Sequence, residues 1–154
     1  MGRKKKEPKS EANSPDSVAP IKAIRASDST DRMIVSWFEI PVLDMTRAVD
    51  FYRHILSVEM EVTQAGDHSM AAFPQGPGGV GGALVQGPGS VPSPAGTLVY
   101  LNAGDDLDAA LELVADSGGR VIMEKTPVGD AGCFALFIDT EGNKIALHSD
   151  EGAQ

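Results

Sequence analysis

The hydrophobic pattern changes period at Asp44, and the chain is organised around that change. In the stretch WFEIPVLDMTRAVDFYRHIL, Phe38, Ile40 and Val42 alternate with Trp37, Glu39 and Pro41. Alternation puts the first three on one face of a strand and the others on the opposite face, predicting a strand over about 34–42. From Met45 the apolar residues recur every three or four positions: Met45, Ala48, Val49, Tyr52, Ile55 and Leu56. That spacing predicts an amphipathic helix with Arg47, Asp50 and Arg53 on its wet side. Asp44 suits its N-cap, where a carboxylate accepts from free backbone N–H groups.

A second copy of the plan runs from Thr97 to Gly119, TLVYLNAGDDLDAALELVADSGG. Asp105 or Asp106 caps a helix whose stripe is Leu107, Ala110, Leu111, Val114 and Ala115, and Gly118-Gly119 ends it. Asp44 to Leu56 and Asp106 to Gly118 are both 12 positions. After the first helix, strands are expected at 58–65, 68–74 and 80–86. After the second, they are expected at 120–125, 132–139 and 144–149, with the Thr140–Asn143 turn before the last. The order is β-α-β-β-β, twice: units at 33–87 and 96–149, joined by the Pro/Gly-rich connector at 87–96. The expected fold is α+β.

Residues 1–32 carry no sustained apolar period and are expected to form a disordered tail, with a short second tail at 151–154. Within the first, Arg3-Lys4-Lys5-Lys6 is read as a solubilising run, the alternative being a contact with nucleic acid or an acidic surface. Met33 stands directly before the first strand and is a candidate alternative start. Charge is divided unevenly. The first 32 residues hold 8 Lys/Arg against 5 Asp/Glu, and the remainder holds 5 against 17. So acidic a domain repels phosphate backbones, which argues against nucleic-acid binding by the folded part. No apolar run is long enough to span a bilayer, and one cysteine, Cys133, excludes an internal disulfide framework. A cytoplasmic protein without membrane contact is expected. Gly76–Gly82 lacks the Lys-Ser/Thr and strand-to-helix context of a phosphate loop.

Several motifs together resemble the vicinal oxygen chelate superfamily, which includes glyoxalase I, bleomycin-resistance proteins and extradiol dioxygenases. They are Val42-Leu43-Asp44, Arg47-Ala48, Phe51-Tyr52, the Gly118-Gly119 helix end and Asp139-Thr-Glu-Gly-Asn143. One departure is Ser57, where the family usually has glycine after the first helix. The resemblance implies two β-α-β-β-β units forming a cup-shaped sheet with helices on its outer face. It also implies a ligand cavity and a homodimer.

Metal-using members of that family carry His, Glu or Gln on the inner faces of the first and fourth strand of each unit. Carried over by position, those places hold Trp37, Ala83, either Thr97 or Val99, and Ala146. Indole, methyl and hydroxyl groups are poor ligands for a divalent cation, so neither the usual metal nor another cofactor is expected. Strand parity points Glu39 and His148 to the same faces. One reading makes them a displaced metal-binding or acid/base pair. The other makes Glu39 a satisfied rim residue and His148 a surface residue. His54 is read as exposed on the helix, His68 as lying in a turn, and Cys133 as a small core residue. Trp37 offers an indole for stacking on a planar or cationic ligand, or simply fills volume.

The sequence therefore points first to a small-molecule-binding protein with a metal-free cavity lined by Trp37, Glu39, Ala83, Thr97, Val99, Ala146 and His148. The alternative is a metal-dependent glyoxalase- or dioxygenase-like enzyme with a non-standard site around Glu39 and His148. A third reading is an interaction module whose cavity has collapsed.

Overall fold

The structure, a computed structural model, describes residues 33–153. The expected tail at 1–32 and its basic run lie outside them. The first unit consists of β1 (Trp37–Pro41), α1 (Met45–Leu56), β2 (Val62–Ala65), β3 (His68–Ala72) and β4 (Gly81–Gln86). The second repeats it with β5 (Tyr100–Asn102), α2 (Leu107–Asp116), β6 (Arg120–Pro127), β7 (Cys133–Ile138) and β8 (Lys144–Ser149). The strands form two separate four-stranded sheets, ordered β1-β4-β3-β2 and β5-β8-β7-β6. In each, the first strand runs parallel to the fourth and the other pairs are antiparallel. The α+β fold of two β-α-β-β-β units is as the sequence predicts. Some strands are shorter: β1 begins at Trp37 and β5 at Tyr100, which leaves Thr97 to Val99 as an extended wall outside the ladder.

Local sequence explains both helices. Asp44 accepts from the Arg47 N–H at 3.0 Å, and Asp106 accepts from the Ala109 N–H at 2.9 Å, which satisfies a free donor in each first turn. The predicted stripe of α1 is buried except for half-buried Leu56, and Phe51 joins it. In α2 the expected Ala115 is exposed. Ser57 ends α1 in the left-handed conformation with φ +53°. It therefore makes the exit turn at some cost in backbone strain.

Both helices cover the same side of their sheets and touch each other. One hydrophobic core results, containing Ile40 and Leu84 of the first sheet, Phe137 and Leu147 of the second, and the inner stripes of α1 and α2. Phe51 packs against Phe137 with ring centroids 5.9 Å apart. Close approach at this junction requires Gly119, where a Cβ would meet Val114 at 2.8 Å and Phe51 at 2.9 Å. Cys133 is buried in this core, as expected. The opposite sheet faces, away from the helices, carry Trp37, Glu39, Ala83, Ala146 and His148, whereas Val99 packs against the core.

Candidate functional site

The Asp139–Asn143 turn fixes how the two units meet. The Asp139 Oδ1 accepts from the N–H groups of Glu141, Gly142 and Asn143 at 2.9, 2.9 and 2.8 Å. Its Oδ2 accepts from the Tyr52 hydroxyl at 2.6 Å and from Asn143 Nδ2 at 3.0 Å. Burial, reinforced by the adjacent Asp139 carboxylate, pushes the Tyr52 hydroxyl well above its ordinary pKa, so it stays a donor. Glu141 reaches the other way. Its carboxylate accepts from the Leu43 and Asp44 N–H groups at 3.0 and 2.9 Å and forms a two-pronged pair with Arg47 at 2.8 and 2.9 Å. Burial alone would raise the Glu141 pKa, but Arg47, those N–H groups and the Thr140 hydroxyl together hold it down to about 2. Asn143 donates to the Pro41 carbonyl at 2.7 Å and accepts from the Ser93 N–H at 3.1 Å, tying β1 and the connector to the same turn. Among the described residues no buried polar side-chain atom lacks a partner.

This seam sets the walls of the cavities. The largest is an apolar groove of about 700 Å³ between the edge strands β1 and β5, lined by Trp37, Phe38, Phe73, Thr97, Val99 and Tyr100 among others. Trp37 lies across Gly81 of β4, where a Cβ would come within 2.7 Å of the indole. Glycine there lets the ring lie against the sheet, still 44% exposed. Tyr100 faces Phe134 across the small Ala146, with ring centroids 6.0 Å apart.

The profile of the Glyoxalase/Bleomycin resistance protein/Dioxygenase superfamily matches residues 34–147. The chain belongs to this superfamily. Among solved structures it is similar to a domain of this superfamily from Frankia sp. (TM-score 0.58, 18% identity, covering 79% of this chain and 98% of that one). It is also similar to a genomically encoded fosfomycin resistance protein from Listeria monocytogenes (TM-score 0.57, 17% identity, 74% and 88% covered). A third likeness is to glyoxalase I from Zea mays (TM-score 0.56, 18% identity, 75% and 45% covered), so this chain spans about half the length of the maize protein. At these identities the likeness is one of fold. No curated protein matches the sequence.

The positions at which the resemblance implies metal ligands, Trp37, Ala83, Thr97 or Val99, and Ala146, offer no imidazole or carboxylate. Trp37 stands at the start of β1; Ala83 and Ala146 are fully buried in β4 and β8. Thr97 and Val99 lie just before β5, and Val99 accepts through its carbonyl from the Ala146 N–H at 2.9 Å. Among the described residues no group of three or more His, Cys, Asp and Glu side chains could hold a metal ion.

The remaining candidates are scattered. Glu39, directly opposite Ala83, opens into a second cleft beside β1, and His148 does not line that cleft. The His148 Nε2 donates to the Ala131 carbonyl at 2.5 Å, which fixes the ring in β8 of the other sheet. Trp37, Thr97 and Val99 are brought together in the groove, whereas Glu39 and His148 belong to different sheets. His54 is exposed, as expected, but His68 opens β3 instead of lying in a turn. The Pro88 carbonyl at 2.9 Å and the Asp67 carboxylate at 2.8 Å both raise its pKa. Sequence reasoning missed Tyr100 as a groove aromatic and Phe134 as the ring packed beside it. Their period-two position beside Ala146 was the available signal.

Proposed function

We propose that this chain is a small-molecule-binding member of the superfamily whose ligand lies against Trp37 and Tyr100 without the usual metal. The observation that supports this reading is an apolar groove lined by Trp37, Thr97, Val99 and Tyr100, while Ala83 and Ala146 lie buried outside it. Its about 700 Å³ falls within the roughly 300–1,000 Å³ of small-molecule sites. Two accessible aromatic rings with few fixed charges favour a planar, largely apolar ligand bound by stacking.

We also propose a homodimer. Val62 on the edge strand β2 and Ile122 and Met123 on the edge strand β6 are large apolar residues left 40–50% exposed, and a second copy would cover part of that area. Ultracentrifugation tests this directly, with a twofold mass expected.

The binding test is a thermal-shift screen of planar aromatic compounds against the full chain, repeated on Trp37→Ala. A saturable stabilisation that the substitution abolishes is the expected result. Equal shifts in both proteins would remove Trp37 from the site.

A further inference from the structure

The second cleft carries chemistry that the apolar groove lacks. It lies on the other side of the Thr97–Val99 wall, between β1, the start of β8 and the connector, with a volume of about 410 Å³. Its frame is rigid. Asn143 holds the Pro41 carbonyl on one side and the Ser93 N–H on the other, and Asn143 is itself anchored by Asp139. Two opposite charges line it: Glu39 from β1 and Lys144 from β8. Neither belongs to an ion pair among the described residues, with each other or with any third group.

That freedom is unusual here. Five Lys/Arg residues follow position 32. Arg47 is held by Glu141, Arg53 by Glu59, and Lys125 by both Asp108 and Glu151. Of the two cations left, Arg120 and Lys144, only Lys144 lines this cleft. In a domain with 17 acidic residues, a lysine and a glutamate that line one cleft without ion-pair partners among the described residues offer complementary contacts to one ligand. The surrounding negative field disfavours ligands with only a carboxylate. A molecule bearing both charges avoids that penalty, and Phe38, Val91 and Val99 supply an apolar wall beside them.

We propose that this cleft binds a free α-amino acid with an apolar side chain. Glu39 receives its ammonium, Lys144 receives its carboxylate, and the side chain rests on Phe38, Val91 and Val99. The cleft shares Phe38, Thr97 and Val99 with the groove, but Glu39 and Lys144 line the cleft alone.

Calorimetric titration of the full chain with L-leucine and L-phenylalanine tests the assignment. Saturable binding is expected for at least one. L-leucinamide, which keeps only the ammonium, and N-acetyl-L-leucine, which keeps only the carboxylate, should each bind about tenfold more weakly or worse. Glu39→Gln and Lys144→Met should each weaken amino-acid binding to a similar degree. Arg120→Met removes the other unpaired cation and should leave binding unchanged. Both cleft residues are at least partly solvent-exposed, and unchanged circular dichroism will confirm that the variants fold. Absence of saturable binding up to about 10 mM would overturn the proposal. So would undiminished binding in Glu39→Gln or Lys144→Met, or equal binding of the two singly charged analogues.

Discussion

The seam between the units and the cavity-side faces of the sheets were built under opposite demands. At the seam, every polar side chain is committed: Asp139 accepts five hydrogen bonds, and Glu141 meets two backbone N–H groups, Thr140 and Arg47. On the cavity side Trp37, Thr97, Val99 and Tyr100 line the groove, and the charged residues Glu39 and Lys144 stand without ion-pair partners among the described residues. The difference separates what holds the fold from what the fold can hold. Buried acceptors cannot change without orphaning donors, whereas a residue facing a cavity can change at little cost to stability.

The sharpest attack on the seam is Asp139→Ala. It leaves the Tyr52 hydroxyl and three turn N–H groups without their acceptor, and a loss of about 3–5 kcal/mol is expected in urea unfolding. Glu141→Gln is milder, because Arg47 is half-exposed at its side chain and solvent screens the pair. About 1–2 kcal/mol is expected at pH 7. Its pH dependence has a definite sign. The folded pKa of Glu141, about 2, lies below the ordinary 4.5, so its stabilisation is complete above pH 4.5 and lost as pH falls towards 2. The stability gap between the native protein and Glu141→Gln should therefore narrow across that window.

On the cavity side the expectation reverses. Trp37→Ala should change stability by about 1 kcal/mol or less while lowering affinity for an aromatic ligand about tenfold or more. A large stability loss instead would mean that the indole only fills volume. Smallest of all, Ser57→Gly relieves the left-handed turn after α1 and should stabilise the protein by about 0.5 kcal/mol.

This contrast also explains what could be read from the sequence. Asp44, Phe51-Tyr52 and Asp139–Asn143 were recognisable because each serves the architecture, in a cap, a core or the seam. Helix periods and strand alternation likewise placed Ile40 and Leu111 inside. The cavity was less legible. Parity correctly set Trp37 and Glu39 on one face, but sheet membership separates Glu39 from His148, and side-chain direction within a strand carries no information about that. Nor could spacing reveal that Asn143 braces the connector, or that Lys144 and Glu39 line one cleft, since both depend on contacts about 50–100 residues apart.

Ligand binding without a metal, as proposed for this member of the superfamily, is tested most directly by metal content. Elemental mass spectrometry on the protein purified without a histidine tag should find far less than one equivalent of Zn, Fe, Mn or Ni per chain, and a chelator should leave ligand-induced stabilisation unchanged. About one equivalent of a divalent metal, with binding abolished by the chelator, would contradict the account and return attention to Glu39 and His148 as its ligands.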